Sequence, residues 1–313
     1  MPAAAAVAVA FWALKPIFIT LVGDRAGFTE LYLASAFAAA GASSLIAMRY
    51  RQAALTLIRA GRPAVRGAAS AATSGLALAL WYYGFYRALF TAPKVDATVI
   101  AFLWPLIAAV AVPLLSTAPV RRLTRLQWAL VLVSFGGAVA VAAGGSGEAG
   151  GGFSPGIAWA FAAAVGSGIY LPFALNATAA FDRILHSKLL ATFFAVSIAN
   201  GVSLLAVAAG LTVTGYRLDF ARFDGRVLGI SVLIGVGTYV VAELAWTWAF
   251  RESQSLALTS LPYFSPAVSV LLLFAFFGEP VRPAALGDLV VILGASLVLH
   301  VIDGRAPAGD TGA

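Results

Sequence analysis

Apolar residues run along this chain in ten stretches, and short segments between them gather nearly all of the charge. The stretches are Ala3–Val22, Phe28–Met48, Ala68–Leu89, Ala97–Leu115, Leu126–Ala143, Gly156–Leu175, Leu189–Leu211, Val227–Phe250, Ala257–Phe277 and Ala285–Val301. Each approaches the roughly 20 residues that a helix needs to cross a bilayer. In hydrocarbon each has to be a helix, because its backbone must satisfy its own hydrogen bonds. Outer-membrane strands would be about 10 residues long with strict alternation, and these runs show neither feature. The expected fold is therefore an all-α membrane protein of ten transmembrane helices.

The second five runs repeat landmarks of the first five. "FYRAL" precedes "FLWPL" in one half and "AFRES" precedes "YFSPA" in the other, giving the pairs Arg87/Arg251 and Pro105/Pro266, with offsets of 164 and 161. Pro16 and Pro172 form a third pair, offset by 156, each expected to break the first helix of its half. In both halves a further proline, Pro119 or Pro280, follows 14 residues on. An odd number of crossings inserts the second unit upside down, which predicts two inverted five-helix repeats, the layout of many secondary transporters. The expected organisation is residues 1–143 as the first repeat, a Gly-rich linker over 144–155 within "GGSGEAGGGFSPG", and residues 156–313 as the second.

Composition agrees with the pattern. The chain is 61% hydrophobic and 11% charged, where a soluble domain is about 25% charged. The net charge of +7 sits in loops between apolar runs, so it reads as topology and headgroup anchoring rather than nucleic-acid binding. With both termini in the cytoplasm, twelve basic residues fall inside, among them Arg49, Arg51, Arg59, Arg62, Arg66 and Arg183, against seven outside. This bias favours both termini in the cytoplasm, and the apolar N-terminus without a basic leader reads as a retained helix. The absence of cysteine excludes disulfides, thiolate metal sites and a cysteine nucleophile. No paired-histidine motif, serine elbow or phosphate loop appears, so neither an enzyme, a metal nor a cofactor is expected.

Ionisable residues inside spans are costly, about 3 kcal/mol or more, and therefore informative. Lys15 in "FWALKPIF" lies just past the middle of span 1, and Glu243 in "VVAELAWTW" lies two-thirds through span 8. They read either as a substrate or proton site, or as a buried structural ion pair or snorkelling groups. Pro16 would free the carbonyl of Trp12 beside the Lys15 cation, and Pro172 that of Gly168; the other reading of each is a packing kink. Tyr82, Tyr83, Trp104, Tyr170 and Tyr263 are candidate cavity aromatics, with belt positions at the membrane interface as the alternative. Asn200, a lone amide in span 7, reads as a helix–helix contact.

The chain resembles the drug/metabolite transporter superfamily, in its ten-helix EamA-type branch. The resemblance rests on the five-plus-five layout, "WALKP", "FLWP", "YFSP" and the ending "FGEPVRPAALGDLVVILGASLVL", with Gly278, Glu279, Pro280 and Gly294 at family positions. It departs in span 2, where "ELYLASAF" lacks the arginine many members carry. "FWALKPIF" is similar to bacterial exporters of aromatic amino acids. The resemblance implies a bacterial inner-membrane exporter working by alternating access on an amino acid or related metabolite held between the halves near mid-membrane. A monomer in the lipid bilayer is expected, with the proton as candidate coupling ion. Lys15 would meet the carboxylate or tune the cavity, the freed Trp12 carbonyl beside it would help dock a zwitterion, and Glu243 would meet the ammonium or a proton. Pro16, Pro105, Pro172 and Pro266 would shape the rocking helices. A broad exporter of cationic or apolar compounds is the rival within transport, and an intramembrane enzyme or lipid-binding scaffold the rival outside it. Spans 9 and 10 contain no Lys or Arg, which counts against an organophosphate substrate.

Overall fold

A computed structural model describes residues 2–23, 25–117, 154–253, 261–262 and 264–281, with scattered positions over 125–136 and 283–298. The linker up to residue 153, Pro119, Tyr263, Arg282 and the C-terminus lie outside the described residues, as does most of the fifth and tenth apolar runs.

Among the described residues all regular structure is helical. The helices are α1 (Pro2–Val22), α2 (Phe28–Arg49), α3 (Arg51–Arg59), α4 (Arg62–Thr91), α5 (Lys94–Ala101), α6 (Trp104–Leu115), α7 (Pro155–Leu185), α8 (Lys188–Val213), α9 (Gly225–Val232), α10 (Glu243–Ser253) and α11 (Phe264–Phe277). A wide-turned π segment, Leu233–Ala242, joins α9 to α10 without a break. Among the described residues six segments are long and apolar enough to cross a membrane: Ala3–Val22, Phe28–Arg49, Lys94–Leu115, Pro155–Leu185, Lys188–Val213 and Gly225–Glu252. Large apolar side chains such as Phe37, Leu45 and Leu205 are exposed on these helices, and Leu271 and Phe276 on α11, as a lipid-facing surface requires. The protein is a membrane-embedded helical bundle.

Two features depart from the pattern read along the chain. The basic segment after span 2 is not only a loop: Arg51–Arg59 forms the amphipathic helix α3, which buries Leu57 and packs on α7. Pro16 and Pro172, expected to break their helices, lie inside α1 and α7, which run on through them. Each proline deletes one N–H donor, yet the turns on both sides of it stay helical. α1 packs on α11, whose Ser265 Oγ donates to the Val9 carbonyl (3.1 Å) and Ser269 Oγ to that of Ala13 (2.8 Å). Pro105 does mark a break. Span 4 is interrupted at Phe102 and Leu103, and Pro105 sits in the first turn of α6, where its missing donor costs nothing. Pro266 likewise sits in the first turn of α11.

Close backbone approach fixes which helices are neighbours. α4, of the first half, packs most extensively on α7 and then α8, of the second. A Cβ at Gly166 would lie 2.6 Å from the Ala77 carbonyl, and one at Gly75 2.4 Å from that of Ala199. Small residues thus let helices from the two halves touch backbone to backbone, the usual device where lipid supplies no hydrophobic drive. A large core of aromatic and aliphatic side chains fills the centre, and a smaller one forms around Leu57, Phe181 and Phe193.

Candidate functional site

α4 carries Trp81, Tyr82, Phe85 and Tyr86, spaced so that all four rings lie on one helical face. That face meets Lys15. The Lys15 Nζ lies 4.9 Å from the Trp81 ring, 4.5 Å from Tyr82, 5.1 Å from Phe85 and 5.5 Å from Tyr86. A fifth ring, Tyr239 of the π segment, lies at 5.3 Å. Lys15 is 1% exposed, and its Nζ makes no hydrogen bond. The rings offset part of its desolvation, since a desolvated cation–π contact contributes about 2 kcal/mol, but its three donors are unspent.

Glu243 opens α10, immediately after the π segment, and is 2% exposed. Its Oε1 accepts from the Tyr82 hydroxyl at 3.2 Å, while Oε2 makes no hydrogen bond. Trp12 and Tyr170 approach the same carboxyl. The Trp12 Nε1 has no hydrogen-bond partner, and the Tyr170 hydroxyl pairs with Thr247 Oγ1 at 2.9 Å. Lys15 and Glu243 form no direct ion pair. Tyr82 links them, its ring under the amine and its hydroxyl on the carboxyl. Trp12, Trp104 and Trp246 close one side, edge to face, with centroids 5.4, 5.4 and 5.8 Å apart. The Trp246 Nε1 is also buried without a partner.

A hydroxyl chain supports this shell from behind. Tyr239 stacks on Tyr82 at 3.8 Å, and its hydroxyl donates to that of Tyr86 (3.0 Å). Tyr86 donates to Ser35 Oγ at 3.4 Å, and Ser35 to the Leu31 carbonyl at 2.8 Å. The wide π turns leave the Tyr239 carbonyl available to Asn200 Nδ2, which donates to it at 2.6 Å. π turns are rare and concentrate at functional sites; this one sets both Tyr239 and Glu243.

The site residues expected from the sequence divide cleanly. Lys15, Trp12, Tyr82, Trp104, Tyr170 and Glu243 come together. Tyr83 does not: its ring packs on Phe28, Tyr32 and Trp159, on the other side of α4. Tyr263 lies outside the described residues. Phe85, Tyr86 and Tyr239 are additions. The spacing of residues 81, 82, 85 and 86 was the signal for the α4 face; the π register left none for Tyr239.

A cavity of about 530 Å³ opens at the end of the bundle where α1 and α4 finish and α5 starts. It is lined by Ile19, Thr20, Phe90, Lys94, Arg226 and Glu279, among others. Ile19 and Thr20 follow Lys15 by about one turn, and Lys94 pairs with Glu279 across the cavity wall. At the same end Glu30, 1% exposed, accepts from the Tyr216 hydroxyl at 2.9 Å, strapping the α8–α9 loop to α2. Burial, then the Glu30 carboxyl, push the Tyr216 hydroxyl above its ordinary pKa. Among the described residues no group of three or more His, Asp or Glu is placed to hold a metal.

No family model and no curated protein matches this chain. Twenty-five solved chains match it in structure. One, described only as "Crystal structure of protein", is similar over 96% of this chain and 96% of its own, with a TM-score of 0.60 and 21% identity. At that identity the likeness concerns the fold alone.

Proposed function

We propose that this protein is a bacterial inner-membrane secondary transporter that exports neutral, chiefly aromatic, amino acids. It would use ten spans in two inverted five-helix units, with both termini in the cytoplasm. One observation carries the reading. A buried amine and a buried carboxyl, drawn from opposite halves of the chain, each keep unspent hydrogen-bonding capacity within one aromatic shell. Buried polar groups are ordinarily satisfied, so two such groups side by side fit a ligand that bridges them. A zwitterion does so, its carboxylate on Lys15 and its ammonium on Glu243, with Trp12, Trp104 and Trp246 against an apolar or aromatic side chain. The near burial of Lys15 and Glu243 corresponds to an occluded state. The 530 Å³ cavity beside Ile19 and Thr20 is the outer approach in this topology. The parallel placement of Pro105 and Pro266 in the first turns of α6 and α11 supports the duplication.

The test is counterflow in proteoliposomes loaded with labelled Phe, Thr or Met, with and without a pH gradient. Saturable exchange supports the proposal; no exchange of any amino acid removes it. The free Oε2 of Glu243 among aromatic rings also favours a second reading, a broad exporter of organic cations. The two separate on Lys15→Met, which should abolish exchange of a zwitterion and spare that of a cation.

A further inference from the structure

At the end of the bundle opposite the Lys94–Glu279 pair, α4 begins and α7 ends. Between them lies a cavity of about 630 Å³ lined by Arg62, Arg66, Ser70, Asn176 and Arg183, among others. Among the described residues no carboxylate lines it. Asp182, the nearest acid in sequence, is spent on Arg251, whose Nη2 lies 2.6 Å from it. Asn176 is also spent: its Oδ1 accepts from the Thr117 N–H at 2.7 Å, and its Nδ2 donates to the Leu115 carbonyl at 3.0 Å. The three guanidinium groups make no hydrogen bond or ion pair with another described residue. Three cations without a described counter-charge on one concave surface repel one another, and that repulsion is relieved by an anion.

We infer that this cavity binds a phosphate group, and that its source is the headgroup of an anionic glycerophospholipid. Guanidinium recognises phosphate through paired N–H donors in a planar fork, and all three cations here are arginine. The N-terminus of the 30-residue α4 adds a favourable dipole at the same place. The rim argues for a lipid. Val65, next in sequence to Arg66 on α4, is 66% exposed, and Ile58, on the amphipathic α3 that precedes α4, is 76% exposed. A basic concavity with an apolar margin at helix ends is where a headgroup and its acyl chains are held together.

The experiment uses the full-length protein purified in detergent. Native mass spectrometry would follow retention of phosphatidylglycerol, with phosphatidylcholine as the comparison and sn-glycerol 3-phosphate as competitor. The wild type should retain phosphatidylglycerol at least tenfold better than the R62Q/R66Q/R183Q variant, and phosphatidylcholine no better than it. Displacement of the lipid by millimolar sn-glycerol 3-phosphate would keep the phosphate site and reassign its source to a soluble compound. Equal retention by wild type and variant would overturn the inference. All three arginines are exposed, so the variant should fold. The single Arg183→Gln variant provides a second test, with a several-fold loss expected and no loss refuting.

Discussion

Replacing Tyr82 by Phe removes one atom from the centre of the site. The ring remains 4.5 Å from the Lys15 Nζ and stacked on Tyr239 at 3.8 Å. What is lost is the hydroxyl that donates to Glu243 Oε1 at 3.2 Å, leaving neither carboxylate oxygen with a hydrogen-bond donor. A hydrogen bond to a charged group contributes about 1.5–3 kcal/mol. At 3.2 Å this one is longer than the 2.5–2.7 Å usual for a hydroxyl on a carboxylate, so the lower bound of about 1.5 kcal/mol applies. If Glu243 must be held in place to meet the substrate ammonium, that energy reappears as roughly a tenfold rise in the half-saturating concentration of phenylalanine. The assay is counterflow in proteoliposomes, with melting temperature in detergent as a check on folding; a fall of about 2 °C is expected there. Tyr239→Phe is the control, because its hydroxyl reaches Tyr86 and not Glu243; about threefold is expected from a weaker neutral bond. An unchanged half-saturating concentration in Tyr82→Phe, or an equal effect in Tyr239→Phe, would refute the reasoning.

Other expectations concern the scaffold. A Cβ at Gly235 would lie 2.2 Å from the Ser35 carbonyl, so Gly235→Val should push α2 off the π segment at a cost of about 1–3 kcal/mol and abolish transport. Gly201→Ala, with nothing within 4 Å, should be tolerated; size-exclusion profiles and flux together decide. Ser269→Ala removes the bonds to the Ala13 and Ser265 carbonyls and should cost about 0.6 kcal/mol, typical of an interhelical bond in a membrane, read as a small loss of thermal stability. Asp224 caps α9, and the Val227 N–H, with help from Arg25, holds its carboxyl below the ordinary range. A depressed native pKa means stability present above about pH 4 and lost as pH falls further. Melting scans from pH 6 to pH 3 should therefore show a smaller acid loss in Asp224→Asn than in wild type.

Apolar run length pointed to the six spans seen among the described residues, and in-span charge to the two central polar groups. Lys15 and Glu243 stand out in a sequence because a charge in hydrocarbon is expensive, whatever the fold. The aromatic shell was half legible. Periodicity on α4 separates residues 81, 82, 85 and 86 from Tyr83, one residue on and turned away, but only if the facing helix is known. Tyr239 was hidden for a different reason: a π segment shifts every following side chain off the α register, and the residues of Leu233–Ala242 look like any apolar span. Glu30 was missed because it stands one turn inside span 2, where an acid reads as a helix-start residue; its partner Tyr216 is 186 positions away. Pro16 and Pro172 show the converse. A proline announces a lost hydrogen bond, not a broken helix: α1 and α7 both run on through theirs.

The central claim is that Lys15 and Glu243 hold the two ends of one zwitterion. Counterflow of phenylalanine compared with its two halves, phenylethylamine and 3-phenylpropionate, tests it most directly. The account predicts saturable exchange of phenylalanine and little of either analogue, since each leaves one buried charge without a partner. Exchange of phenylethylamine as fast as that of phenylalanine would contradict it and assign the site to cations.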